Sequence, residues 1–572
     1  MALTKKEVSA ILDNIGTLLE LKGEDPFKSR AYFNAARRIE NLEEDLYALI
    51  SENRLSTVKG IGSALEKKIR ELALTGGLAY YDGLKSSVPP GHLEMLRIQG
   101  LGPRKIRKLY EYLNIETVGE LEHACLENHL TDLSGFGAKS QANILAGINA
   151  LKKFSEKRLY HEAYEIAAPL LEALQNNPDV IRADIAGSLR RCNEVVKDID
   201  IVCSTRRPTA VAEFFATLPQ VDRVTSKGDT KASVVMSSGI NADLRIVSDG
   251  EFPYALHHFT GSKEHNVAMR GRAGRMGLKM NEYGLFSERG LIACRDEQEI
   301  FAALSLHFIP PELRENMGEI EAAAEGSLPG LISMEDIRGV FHLHTRASDG
   351  TSTLKSIVDF AKGMGLDYVG IADHSRSAFY AGGLSIEKVL RQHAEIDEMN
   401  RKDSSFRIFK GIESDILPDG SLDYDEGILR KFDFVIAAVH SHFSMPEQDM
   451  TARIIKAVEN RFTTMLAHPT GRILLARNPY AVDMEKVIQR AAQANTAIEI
   501  NSNPDRLDLD WRFCRVVKRE GARVAINPDA HHDEGLSDVR FGINVARKGW
   551  IEKRDCLNCM DTRQIEDFLY NK

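Results

Sequence analysis

Residues 341–350 read FHLHTRASDG, and they open a series that runs to the end of the chain. His342 and His344 flank a leucine, and Asp349 follows in the same run. Further potential ligands then recur, each in its own short motif: His374 in IADHS, Glu413 in GIESDIL, His440 in AAVHSHF, His468 in LAHPTGR, and Asp529 and His531 in INPDAHH. Most close an apolar run, as in YVGIADH, FDFVIAAVH and FTTMLAH. An apolar run of this length between helical stretches reads as a buried parallel strand. Ligands at the C-terminal ends of successive barrel strands converge on one face, where barrel enzymes place their chemistry.

Imidazole and carboxylate together suit Zn, Mn or Fe. One histidine at a strand end is more often a hydrogen-bonded residue than a ligand. The His-x-His pair adds to the signal, because side chains two apart on a strand point the same way. Nine such positions in series exceed what one ion takes and predict two or three metals, an arrangement that clamps the attacking and leaving oxygens of a phosphate ester.

In order and kind, these motifs resemble the PHP (polymerase and histidinol phosphatase) domain over residues 337–572. The resemblance implies a distorted (β/α)7 barrel with a trinuclear centre of Mn, Zn or Fe, all nine residues being ligands, and phosphoesterase or 3′–5′ exonuclease activity. His442 stands two residues after His440 and is expected outside the ligand set.

The first half carries a different chemistry. Residues 183–202 read ADIAGSLRRCNEVVKDIDIV. A strand runs into Gly187 and Ser188, whose backbone can approach and hold phosphate at a helix N-terminus. Arg190 and Arg191 add charge-assisted contacts. Asp198 and Asp200, two apart on a strand, face one side while Ile199 and Ile201 face the core. Parallel carboxylates repel unless cations lie between them, and Mg²⁺ held with substrate phosphates is the usual answer. A third acid, Asp243 in NADLRIV, lies on a later apolar strand. Alone, either a Gly-Ser pair or an Asp-x-Asp pair would fit an ordinary turn and a solvated strand face.

In the order shown, these residues resemble the nucleotidyltransferase superfamily. HHFTGSKEHNVAMRGRAGRMGLKMNEYGLF (257–286) further resembles the thumb of family X DNA polymerases, the group that contains polymerase beta. The resemblance implies Asp198, Asp200 and Asp243 as catalytic ligands of Mg²⁺ or Mn²⁺. It implies Gly187, Ser188, Arg191, Phe259, Gly261, Ser262, Asn266 and Arg270 as contacts to the incoming nucleotide. Two positions depart from the pattern. His258 stands where a Tyr is usual, which bears on ribose discrimination, and Lys197 stands where polymerase beta has Gly.

Three N-terminal segments share the pattern apolar-x-Gly-apolar-Gly followed by a helix: VKGIGSALEKKIREL, IQGLGPRKIRKLY and LSGFGAKSQANIL. Their glycine pairs are Gly60/Gly62, Gly100/Gly102 and Gly135/Gly137. Each resembles a helix-hairpin-helix motif, in which freed backbone amides face a DNA phosphate, usually with a monovalent cation. Contact independent of base sequence is the expected result. Lys68 occupies a position resembling the Schiff-base lysine of the 5′-deoxyribose phosphate lyase of polymerase beta. The plainer reading, a basic helix face that meets phosphate, stays open.

The chain has 572 residues and a formal charge of −9, which does not exclude DNA binding, since acidic sites offset local basic patches. No apolar run meets the transmembrane criterion, and MALTKKEVSAILDNIG lacks a signal-peptide core. Seven cysteines show no disulfide framework, so a reducing cytoplasm, with association to the nucleoid, is expected. The lone CxxC at Cys556 and Cys559 reads as incidental. The expected fold class is multidomain α+β and α/β: a helical domain with one hairpin motif (1–88), a helical fingers-type domain with two (89–150), a palm (151–250), a thumb (251–319), a linker (320–336) and the PHP barrel (337–572). Together these features predict a monomeric enzyme that takes gapped or nicked DNA and dNTPs, fills short gaps in DNA repair and degrades 3′ ends, with 3′-phosphatase or abasic-site endonuclease action as further outcomes. The alternatives are a PHP phosphoesterase with an inactive polymerase core, which nucleotide incorporation would exclude, and a non-catalytic end-binding scaffold, which metal content would exclude.

Overall fold

The computed structural model describes residues 3–570 apart from 41, 43, 99, 132 and 153–156. It divides into two compact units, residues 1–151 and 152–572.

The first unit is helical. Its helices share one apolar core that runs from Val8 and Leu12 to Ile144 and Ile148. Leu84 and Met95, on either side of the expected boundary at 88/89, both belong to it. The three glycine hairpins have one geometry. Gly60, Gly100 and Gly135 take φ of +98°, +84° and +93°. The next residue, Ile61, Leu101 or Phe136, plugs into the core and donates its amide back three residues, to Val58, Ile98 or Leu133. The second glycine then starts a helix: Gly62 caps Ser63–Thr75 and Gly102 caps Pro103–Leu113, while Gly137 precedes Ala138–Lys152. The turn needs a residue that tolerates positive φ, and glycine does so without steric cost.

The second unit begins with a five-stranded mixed sheet. Its order is Val180–Ile185, Asp198–Thr205, Asn241–Val247, Lys231–Met236, Val221–Lys227. The helices Phe252–Thr260 and Lys263–Arg275 follow, with the peptide Gly261–Ser262 cis between them. Three short antiparallel strands between Lys279 and Ile292 complete this part.

The remainder is a barrel of seven parallel strands in chain order: Gly339–Leu343, Tyr368–Ile371, Arg407–Asp415, Phe434–Ala438, Thr463–Leu466, Ala497–Asn501 and Val524–Asn527. It is nearly closed. The segment after the last strand returns to the first through the His344 amide, which donates to the Ala530 carbonyl at 2.9 Å. Helices such as Ile386–Lys402 and Met484–Gln493 cover the outside with one apolar face each, as a parallel sheet requires.

Residues 320–336 are packed. Glu319–Glu325 is a helix, Ala323 and Ile332 are fully buried, and Leu331 bridges Glu552. Glycine, proline and acidic residues read as a linker with room for a helical part, and the alanines and isoleucines spaced among them supply apolar surface that docks the segment. The His-x-His geometry also differs from plain alternation. His342 has φ of +58°, and the register of the first two barrel strands shifts between Val340 and Leu343. The two rings still meet, with centroids 5.2 Å apart, through a kink at the strand end.

Candidate functional site

The barrel gathers all nine ligand-type residues at the C-terminal ends of its strands. They fall into four overlapping groups: His344, Asp349, His374 and His531; His342, Glu413 and His468; His342, His344 and Asp529; and His374, Glu413 and His440. Glu413 is shared, with Oε1 3.3 Å from His342 Nε2, 3.1 Å from His440 Nε2 and 3.0 Å from His468 Nε2. Asp349 Oδ2 stands 3.3 Å from His374 Nε2 and 3.4 Å from His531 Nε2. Asp529 Oδ1 stands 3.3 Å from His342 Nε2 and 3.1 Å from His344 Nε2. Two ligand atoms about 2.1 Å from one ion at a tetrahedral angle are about 3.4 Å apart, so these spacings fit ions between the side chains. His342 Nε2 and Glu413 Oε2 are buried without a well-aligned hydrogen bond, although Glu413 Oε2 lies 2.7 Å from His374 Nδ1 and His342 Nε2 lies 3.3 Å from Glu413 Oε1 and Asp529 Oδ1; such crowding of donors is what a cation between them would need. His342, His468 and Asp529 all have positive φ. Such strained backbone is held at functional sites by the surrounding fold.

Burial pushes the Glu413 carboxyl up, but His440, His374 and His342 outweigh it and hold it well below the usual carboxylate range. It is therefore available as an anion that can bridge ions. Burial pulls His374 down, but Asp349 and Glu413 reverse this and raise it well above the ordinary value. Protons and metal ions compete for such a site.

An outer ring of residues carried no sequence signal. Glu499, on the sixth strand, accepts from His342 Nδ1 at 2.6 Å and from the His468 amide at 2.7 Å. Asp415 pairs with His440 Nδ1 at 2.6 Å, and Asn501 donates to Asp529 Oδ2 at 2.9 Å. Partners of this kind fix the tautomer and aim of a ligating imidazole. His442 lies outside the four groups.

The second site lies on the mixed sheet. Asp198–Thr205 and Asn241–Val247 run parallel with Asp200 opposite Asp243, so the three acids share a face while Ile199 and Ile201 are fully buried behind them. Among the described residues the tight ligand groups all lie in the barrel. The palm acids share their face without closing to that spacing, and Asp243 instead meets Lys231 at 2.7 Å. Burial and the charges of Asp198 and Asp243 push the Asp200 carboxyl up to about 6. Unshielded carboxylates repel, and a lysine or a cation relieves them.

A cleft of about 470 Å³ opens beside these acids. Gly187, Ser188, Arg191, Asp198, Asp200, His258, Phe259, Gly261, Asn266 and Arg270 line it, with Lys263. The residues expected from the sequence to contact the nucleotide thus line one cleft, except Ser262, which caps the helix behind it through its side chain; of the three acids, Asp243 stands outside the lining. Arg191 Nη1 donates to the Thr260 carbonyl at 2.6 Å. Asn266 Nδ2 donates to the His258 carbonyl at 2.7 Å. Lys197 is exposed.

In the helical unit, no atom lies within 4 Å of a Cβ built on any of the six hairpin glycines, so all three turns present open backbone. Lys68 is half-buried. Its Nζ donates to Tyr32 Oη at 2.5 Å and lies 3.4 Å from the centre of the Tyr80 ring, and burial lowers its pKa.

Comparison with known families gives matches along the chain. A helix-hairpin-helix domain matches residues 4–78, and a SAM-like helix-hairpin-helix tandem matches residues 93–150. The DNA polymerase beta thumb matches residues 255–315, and the PHP domain matches residues 341–503. The chain belongs to the bacterial family X DNA polymerases with a fused PHP domain. The DNA polymerase/3′-5′ exonuclease PolX of Bacillus subtilis (strain 168) is 38% identical over 569 residues, covering 99% of both chains. The barrel part is also similar to probable phosphatases. One from Thermoanaerobacter sp. (strain X514) is 29% identical over 40% of this chain and 94% of its own length. Another from Caldicellulosiruptor saccharolyticus is 30% identical over 40% and 92%. Among the described residues no helix is long and apolar enough to cross a membrane.

Proposed function

We propose that this chain fills short gaps in DNA with its palm and thumb and hydrolyses 3′ ends with its barrel. The observation that carries the reading is that one relative, named a DNA polymerase/3′-5′ exonuclease, aligns with 99% of the chain, while the two acid-rich sites occupy separate folds. In the palm, Asp198, Asp200 and Asp243 would hold two Mg²⁺ or Mn²⁺ ions, which supply charge neutralisation for in-line phosphoryl transfer. Ser188 and Arg191 grip the triphosphate of the incoming dNTP. The Phe259–Ser262 turn and Asn266 bound its sugar, and Arg270 lines the same cleft. The three hairpins hold the DNA backbone through main-chain amides, with a monovalent cation as the expected companion.

In the barrel, the nine residues would hold two or three ions of Mn, Zn or Fe, which polarise a phosphate ester and activate water. Glu499 and Asp415 fix the imidazoles that face the ions. Lys68, desolvated against two tyrosines, is the candidate Schiff-base lysine for removal of a 5′-deoxyribose phosphate. Borohydride trapping on an abasic substrate tests that role.

Two variants in the full chain test the main reading. Asp198→Ala should abolish extension of a gapped primer and spare 3′ degradation, and His344→Ala should do the reverse. Parent-like extension by Asp198→Ala would remove the polymerase assignment. Parent-like degradation by His344→Ala would remove the nuclease assignment.

A further inference from the structure

The barrel helix Val539–Lys548 ends against the nucleotide cleft of the palm. Lys548 is only 2% exposed in its side chain, and its Nζ donates to the carbonyl of Arg191 at 3.1 Å. The same Nζ pairs with Glu315, which follows the thumb helices. Glu315 Oε1 in turn accepts from Arg191 Nε at 3.1 Å. One carboxylate is thus shared between a cation that lines the cleft and a cation supplied by the barrel. Around this triad the junction is built on both sides. Arg547 Nε meets Glu312 at 2.6 Å, Phe541 packs edge-on against Tyr160, and Arg472 pairs with Glu194, three residues beyond Arg191.

We propose that Lys548 of the barrel is a positioning residue for nucleotide addition, setting through Glu315 the orientation and the net charge that Arg191 presents to a triphosphate. The reasoning is electrostatic. A carboxylate paired with Arg191 alone would neutralise the guanidinium and compete with phosphate for it. Sharing that carboxylate with Lys548 leaves the triad with one net positive charge. Burial pushes Glu315 up, but Lys548 and Arg191 outweigh it and hold it below the usual range, so the carboxylate is charged at neutral pH. The carbonyl bond adds a geometric hold: Lys548 fixes the backbone of Arg191 while Glu315 and the Thr260 carbonyl fix its guanidinium. Arg191 touches the substrate in this reading, whereas Lys548 acts only through it.

The inference rests on the palm being a polymerase, and the test separates the two. Single-nucleotide gap filling by the full chain is measured across dNTP concentration, with 3′–5′ degradation of the same oligonucleotide as the control for fold. Lys548→Met keeps the stem and removes the charge. It should raise the KM for dNTP by about tenfold with a smaller change in kcat, since ground-state binding is what weakens, and degradation should stay near parent. Adding Glu315→Gln to Lys548→Met should bring the KM back toward parent, a recovery that a merely structural role would not give. Should Lys548→Met also lower degradation, Glu315→Gln alone decides. It removes the competing carboxylate and should leave the KM equal to or below parent, and a severalfold rise would overturn the charge argument. A folded Lys548→Met chain with parent KM would overturn the proposal outright. Asp200→Asn serves as the other arm. If it still extends, the polymerase reading fails; if it is dead while Lys548→Met is unchanged, only this inference fails.

Discussion

A methyl group built on Gly187 would stand 2.3 Å from Oδ2 of Asp200, at a position where φ is already +63°. The Gly187–Ser188 turn and the strand that carries Asp198 and Asp200 are therefore in van der Waals contact through the one residue type that fits. Gly187→Ala must either push Asp200 off its line or unwind the turn. Left-handed backbone adds a cost of about 1 kcal/mol for a non-glycine residue. Gap filling should fall by at least about 100-fold, because misplacement on the ångström scale is enough for a loss of that size. Degradation by the barrel should stay within about twofold of parent. Near-parent extension by Gly187→Ala would mean that the close approach has no part in the chemistry.

Asp200 also gives a stability prediction. Burial and its two acidic neighbours push it up to about 6 from an ordinary 3.8. A carboxyl raised on folding favours the fold when neutral. The penalty is absent below about pH 4, grows between about pH 4 and 6, and is complete above that. A shift of about two units corresponds to roughly 2–3 kcal/mol at most. In chelator-treated protein, Asp200→Asn should raise the melting temperature by a few degrees at pH 8 and leave it unchanged at pH 4. Equal melting curves at pH 8 would show that Asp200 is not electrostatically strained.

Both predictions concern features that sequence could supply, since Gly-Ser and Asp-x-Asp announce themselves through local turn and strand chemistry. The nine ligand-type residues of the barrel were legible for the same reason: most close an apolar run, and a parallel barrel brings strand ends together. Glu499 was not legible. It sits inside TAIEIN, on a strand that contributes no ligand, and an acid in an apolar strand has no local mark to show that it faces an imidazole from the first strand. The pairing of Glu194 with Arg472 spans 278 residues and follows from domain docking, which motif spacing does not encode. The packed state of residues 320–336 was hidden because glycine and proline signal turns whether or not the intervening alanines find a surface. The kink at His342 was hidden because alternation alone accounts for the two rings meeting.

Glu499→Gln tests the outer ring of the barrel site. The carboxylate holds His342 Nδ1 and the amide of His468, so its neutral analogue should weaken the basicity and aim of both. Metal affinity should drop about 10- to 100-fold, the usual effect of such partners. At limiting Mn²⁺ the 3′–5′ hydrolysis should be low, and it should recover as Mn²⁺ is raised, while gap filling is unaffected. Parent metal affinity in titration calorimetry would make Glu499 a packing residue only.

His258 is half-buried at the cleft, its ring against Phe259 with centroids 5.1 Å apart. An imidazole fills less of the cleft than a phenol would. The parent should therefore show only moderate selection of dNTPs over ribonucleotides, and His258→Tyr should raise that selection severalfold, a difference of about 1 kcal/mol. Competition between dNTP and rNTP at a single-nucleotide gap measures it. Equal ratios in the two proteins would remove His258 from ribose discrimination.

The second hairpin offers the clearest test of DNA grip. Gly100 takes φ of +84°, Gly102 caps the helix Pro103–Leu113, and a Cβ built on either meets nothing within 4 Å. A valine pair there would not clash inside the protein. It would strain the backbone at Gly100 and place branched side chains over amides that are otherwise open to a phosphate. Gly100→Val with Gly102→Val should leave a folded chain with weaker affinity for gapped DNA, by about tenfold at moderate salt, and roughly equally for all base sequences. The dependence on salt should flatten by about one unit of slope for each phosphate that the variant no longer neutralises. Anisotropy with a labelled gapped duplex at two salt concentrations reads both quantities. Extension and degradation of long substrates should fall together, and the chemistry on a saturating very short substrate should change less, since neither catalytic site is touched. An unchanged dissociation constant in the folded double variant would reduce this hairpin to a helix connector and leave the grip to the turns at Gly60 and Gly135.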